Sequence, residues 1–93
     1  MLDRMAERIR RKVRAGEYVM PLHAEEEMDD DGLTLADVEH AILIGRITER
    51  QVDPATRELK YLICGRSVAD RPVVIAAKLS PTGKVVIITV YAL

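Results

Sequence analysis

Residues 46–52 (RITERQV), 59–64 (LKYLIC), 73–79 (VVIAAKL) and 84–91 (KVVIITVY) decide the fold. From Gly45 onward the apolar period shortens from about 3.6 to about 2, which is the change from helix to strand. The links between these runs are short and rich in turn formers: Asp53-Pro54-Ala55-Thr56, Arg66 to Arg71, and Ser80-Pro81-Thr82-Gly83. Such links join only antiparallel neighbours, because a parallel crossover needs roughly a dozen residues or more. A four-stranded antiparallel meander is therefore expected. Strict alternation would place Val73, Ile75, Ala77 and Leu79 on one side of the third strand, and Val85, Ile87, Thr89 and Tyr91 on one side of the fourth. Both strands are apolar on both sides and read as central. The charged first strand, from Arg46 to Val52, reads as an exposed edge.

Upstream of Gly45 the helical period holds. Leu2, Met5, Ala6, Ile9 and Val13 form one stripe of a first helix, with Arg4, Arg8, Arg11 and Lys12 outward and Ala15-Gly16 at its end. Tyr18 to Met20 reads as a short extended connection. Pro21 suits the start of a second helix running to about Asp30, and Gly32 suits the left-handed residue that ends it. Carboxylates at that end oppose the helix dipole, so it needs a basic group to cover it. Thr34 and Asp37 have the spacing of a capping box for a third helix whose buried stripe is Leu35, Val38, Ala41 and Ile42. The expected fold is α+β, one domain over residues 1–93, with three N-terminal helices packed on the four-stranded antiparallel β-meander.

The charge is segmented along the chain. Between Gly16 and Gly45 there are nine carboxylates, both histidines and no lysine or arginine, whereas the first 15 residues carry six basic side chains against two acids. The net charge of −1 denies the protein a global attraction to nucleic acid, so any such binding must use local basic patches. Apolar residues make up 48% of the chain but include no Phe or Trp, which leaves Tyr18, Tyr61 and Tyr91 as the only aromatic platforms. The one cysteine, Cys64, can form no internal disulfide and reads as a small buried hydrophobe of a reducing compartment. The N-terminus has no signal-peptide core, and the longest apolar run is too short to cross a bilayer, so a cytoplasmic protein without membrane contact is expected.

His23 is the candidate for acid–base chemistry, since imidazole titrates near neutrality. Glu27, four residues on, can equally hold it in a local pair. Two ligands are too few for a metal, and neither metal nor cofactor is expected. His40 reads as a packing or surface residue. The carboxylates from Glu25 to Asp31 lack calcium-loop spacing and read as a solvated face or a docking surface for a basic partner. On the sheet, Arg46, Arg50, Lys60, Arg66, Lys78 and Lys84 could form a positive face beside Thr89 and Tyr91. Metal-free RNA cleavage needs such cations around a proton-transferring group. The expected catalytic set is His23, Lys78, Thr89 and Tyr91, with Arg46, Arg50 and Lys60 holding RNA.

The combination of His23-Ala24 with Met28, Gly32-Leu33-Thr34, Asp37-Val38, Ala41-Ile42, Gly45 and the closing run Ile87-Ile88-Thr89-Val90-Tyr91 resembles a small bacterial family of unknown function. That family is marked by His-Ala-x-x-Arg-Met and a terminal Ile-Thr-Val-Tyr. It is similar to the RelE-like toxins of the barnase, EndoU, colicin and RelE group, and in layout to the motility-quorum-sensing-regulator type of messenger-RNA interferase. The resemblance implies a RelE-like fold and a metal-independent endoribonuclease of a toxin–antitoxin module. It also implies a zinc-finger or helix-turn-helix antitoxin as partner. The chain departs from the pattern at Glu27, where the family has Arg, and at Val74, where it often has His. An inactive member therefore stays open, as does a non-catalytic interaction module in which the acidic helix or the edge strand binds a partner. Either could form a homodimer through that edge.

Overall fold

The computed structural model describes residues 2–93. Its elements run α1 (Leu2–Arg14), β1 (Tyr18–Val19), α2 (Leu22–Asp30), α3 (Leu35–Ile44), β2 (Arg46–Val52), β3 (Leu59–Arg66), β4 (Pro72–Leu79) and β5 (Val85–Ala92). The class is α+β as expected, but the sheet has five strands in the order β1-β5-β4-β3-β2, and it is mixed rather than antiparallel. The extra strand is the stretch after α1, where Tyr18 and Val19 pair in parallel with Val85 and Val86. Two residues show no periodicity, and the short-loop argument constrains only strands adjacent in sequence. β1 and β5 are joined by most of the chain. The other three pairings are the antiparallel hairpins expected, with β4 and β5 interior and β2 at the edge.

Two bulges overturn strict alternation. In β5 the register passes from Ala76↔Thr89 to Ala77↔Ile87, so Ile88 is an extra residue and the inward phase moves from Val85 and Ile87 to Val90. Thr89 and Tyr91 therefore leave the face that simple alternation assigned them. In β2 the extra residue is Thr48, between Ile47↔Ile63 and Glu49↔Leu62. Arg50 is thereby placed opposite Tyr61, on the helix-covered side, while Gln51 falls opposite Lys60 on the open side.

The core lies between that covered side and the helices. Ile9 and Val13 of α1, Ala24 of α2, and Val38, Ala41 and Ile42 of α3 meet Ile63, Val73, Ile75, Ala77, Val85, Ile87 and Val90. Helix α3 sits close on β3 because Gly65 has no side chain: a Cβ there would collide with the Ala41 carbonyl oxygen. The capping box forms, with the Thr34 hydroxyl accepting from the Asp37 N–H at 3.2 Å and the Asp37 carboxylate accepting from the Thr34 N–H at 2.9 Å. Asp37 also accepts from the Val68 N–H at 3.0 Å, which ties α3 to the β3–β4 loop. Backbone donation from Thr34 and then Val68 holds its carboxyl below the usual aspartate range. Gly32 takes the left-handed conformation at φ +69°. The acidic end of α2 receives its basic cover from Arg71, which donates to the Asp31 carbonyl at 2.9 Å.

Candidate functional site

Helix α2 lies against β5 beyond the short reach of β1, and its carboxylates take up backbone donors that no strand pairs. Asp31 accepts from the Ala92 N–H at 2.7 Å, and Glu27 lies 3.4 Å from the Val90 nitrogen. Glu27 also accepts the Thr89 hydroxyl at 2.6 Å, a short charge-assisted bond. Glu27 and Asp31 are one helical turn apart, so a single face of α2 presents both to the strand. The bulge at Ile88 takes Thr89 out of the inward phase of Val85 and Ile87.

His23 stands one turn earlier on α2, its Nε2 3.4 Å from the same Glu27 oxygen that Thr89 holds, and its side chain is 72% exposed. That is an ion-pair distance rather than a good hydrogen bond. The carboxylate lies on the Nε2 side of the ring, and among the described residues Nδ1 has no hydrogen-bond partner. The chain thus builds a row of Thr89, Glu27 and His23 in which the central carboxylate is fixed by the strand and the terminal imidazole is open.

The other expected catalytic residues are not gathered here. Lys78 pairs with Glu58 at 2.6 Å, on the part of β4 that faces Val86. Tyr91 sits opposite Val74 and is 42% exposed, and among the described residues no hydrogen bond joins it to the His23 row. Arg46 and Lys60 lie on the open side of the sheet, whereas the Thr48 bulge carries Arg50 to the other side. Among the described residues no lysine or arginine lies within ion-pair distance of Glu27. Among them, too, no group of three or more His, Cys, Asp or Glu side chains is placed to hold a metal ion, and no helix is long and apolar enough to cross a membrane.

Two further polar groups prove structural. The His40 ring Nδ1 lies 2.8 Å from the Arg66 carbonyl and fastens α3 to the end of β3. Tyr18 donates to Glu39 at 2.7 Å, and burial, then that hydrogen bond and the Glu39 charge, push its phenol up to about 12. Cys64 is only half-buried, its sulfur 3.5 Å from the Thr48 hydroxyl, instead of sitting in the core. The roles of Glu27 and Asp31 as clasps on β5 escaped the sequence reading, which gave Glu27 a local pair with His23 and read the rest as a solvated face or a docking surface. Their one signal was the spacing of two acids by four residues.

The class defined is a small α+β domain whose mixed sheet is sealed at one edge by an acidic helix bearing an exposed histidine. The profile of the family described as Domain of unknown function (DUF4258) matches residues 22–92, and the chain belongs to that family. The match begins at α2 and ends with β5, so it takes in the whole Thr89–Glu27–His23 row and leaves out α1. No curated protein and no solved structure matches the chain.

Proposed function

We propose that this domain is a toxin-like, metal-independent endoribonuclease with His23 as its proton-transferring group. The observation that carries the reading is the open imidazole held at 3.4 Å by a carboxylate that the Thr89 hydroxyl fixes at 2.6 Å. A carboxylate so placed orients an imidazole for proton transfer. Nδ1 would remove the proton of a ribose 2′-hydroxyl as that oxygen attacks the adjacent phosphorus. The 5′ oxygen leaves with a proton taken from water, a 2′,3′-cyclic phosphate remains, and the imidazolium returns its proton to the hydroxide so formed. Thr89 serves in this scheme as a positioning residue, because its proton is committed to Glu27. The likeness to RelE-type toxins and to the motility-quorum-sensing-regulator interferase supports the reaction class. It also supports an antitoxin of zinc-finger or helix-turn-helix type as partner.

The test is incubation of labelled single-stranded RNA with the purified protein in chelator, alone and with ribosomes. Cleavage to cyclic-phosphate ends is expected, with a loss of about 100-fold or more in His23→Ala. A smaller loss is expected in Glu27→Gln. RNA left intact under both conditions would sink the nuclease reading.

A second reading, a non-catalytic interaction module, is favoured by one observation: Glu58 occupies Lys78, and among the described residues no lysine or arginine pairs with the Glu27 carboxylate beside His23, where a phosphorane would need a cation. Co-expression with the product of the adjacent gene checks it, a stable complex without RNA cleavage being the expected result.

A further inference from the structure

Helix α1 sorts its charges onto two flanks. At about 100° per residue, Arg4, Arg8, Arg11 and Lys12 fall on one side of the buried stripe and Glu7, Arg10 and Arg14 on the other. The second flank neutralises itself, since Arg10 and Arg14 lie 3.2 and 3.7 Å from Glu7, and Arg10 also donates to the Gly45 carbonyl at 2.9 Å. The first flank has no such partners: among the described residues, none of its four cations lies within ion-pair distance of a carboxylate. The Thr48 bulge brings a fifth unpaired cation, Arg50, to the same side of the sheet.

These groups line three clefts that share Arg8 as a wall and together make a channel. Its first part, a cleft of about 240 Å³, is bounded by Leu2, Arg4, Met5, Arg8, Arg50 and Tyr61 and contains no acid. A second part of about 320 Å³ shares Met5, Arg8 and Tyr61 with it, and its one acid, Glu58, is already held by Lys78. A third of about 290 Å³ carries the line past Arg8 to Arg11 and Lys12, beside Glu17. Along the helix axis Arg4, Arg8 and Arg11 are separated by about 6 and about 4.5 Å. The cations thus form a track rather than a point.

We propose that this channel binds the phosphodiester backbone of single-stranded RNA. A compact anion would need converging donors, whereas a regular polyanion matches a line of them. Guanidinium groups suit the role, because they grip phosphate through two parallel N–H bonds and also stack on bases. The half-buried Leu2 and Met5 between the arginines give riboses and bases an apolar floor. The choice of RNA as the polyanion rests on the nuclease reading; the site itself does not. The track also replaces the open-face set expected from the sequence, since Arg46 and Lys60 point away from it.

The test is fluorescence anisotropy with a labelled, 2′-O-methylated oligoribonucleotide, which cannot be cut through its 2′ oxygen. Binding is therefore read whether or not the protein is a nuclease. Five phosphate contacts give a log–log salt slope of about −3.5, or about a 100-fold loss of affinity between 50 and 200 mM salt. Arg4→Ala with Arg8→Ala should reduce the slope to about −2. Arg46→Ala with Lys60→Ala should leave it unchanged, and Arg8→Lys should retain most binding. The thermal midpoint of each variant shows that it is folded. The proposal is overturned by absence of binding at 50 mM salt or by an unchanged slope in the Arg4/Arg8 variant. It is equally overturned by a loss that follows Arg46 and Lys60, or by a polyglutamate peptide that binds with the same slope and displaces the oligonucleotide, which would assign the track to an acidic protein.

Discussion

Replacing Glu27 by alanine removes one of the two clasps between α2 and β5, leaving that of Asp31 on Ala92 and the core in place. The main loss is the 2.6 Å bond from Thr89, a hydroxyl-to-carboxylate contact of the kind worth about 1.5–3 kcal/mol net. The Glu27 side chain is 31% exposed, so water recovers part of this, and the 3.4 Å approach of the Val90 nitrogen adds little. The expected cost is about 1.5 kcal/mol, at the low end for such bonds. For a domain of this size that lowers the midpoint of thermal unfolding by about 8 °C. Circular dichroism reads the midpoint, and amide exchange at Val90 should speed up while Ile75, in the interior strand, is affected only through global stability. Glu27→Gln keeps one acceptor oxygen and should cost about half as much. Glu27→Arg offers no acceptor and should cost at least as much as alanine. A midpoint within about 2 °C of the parent, with unaltered exchange at Val90, would refute the clasp.

Two other perturbations bear on the scaffold. Gly65→Ala drives a Cβ into the Ala41 carbonyl and should destabilise by about 3 kcal/mol, the upper end of overpacking costs, because backbone rather than a flexible side chain is in the way; urea unfolding measures it. Tyr18 is raised from 10.0 to about 12, so the folded state binds its proton more tightly than the unfolded chain does. Its contribution is complete below pH 10 and is lost as pH rises from 10 toward 12. Ultraviolet titration should show a late phenol that Tyr18→Phe abolishes.

The helices, the three hairpins and the edge position of β2 were legible because each follows from local chemistry. Thr34 and Asp37 cap α3 with no help from the rest of the molecule, and Pro54 and Gly83 sit in turns that only antiparallel neighbours can use. The candidate site was half legible. His23 and Glu27 face each other because four residues make a helical turn, but Thr89 lies 62 positions away from Glu27, and no local period could report that contact.

What the residues decided alone is the order of the elements other than the two-residue β1, and the buried stripes other than Leu35, which is 44% exposed, since these depend only on repeats of 3.6 and 2. What the tertiary structure decided is where the strands lose step. One extra residue at Thr48 and one at Ile88 reverse the facing of everything beyond them. The first puts Arg50 on the side of the sheet that α1 covers, and the second takes Thr89, whose hydroxyl meets Glu27, out of the inward phase of Val85 and Ile87. A bulge carries little local signal in such uniformly β-prone runs, and its position is set by which register best fills the core and satisfies the edge. The sites of interest are products of those two slips.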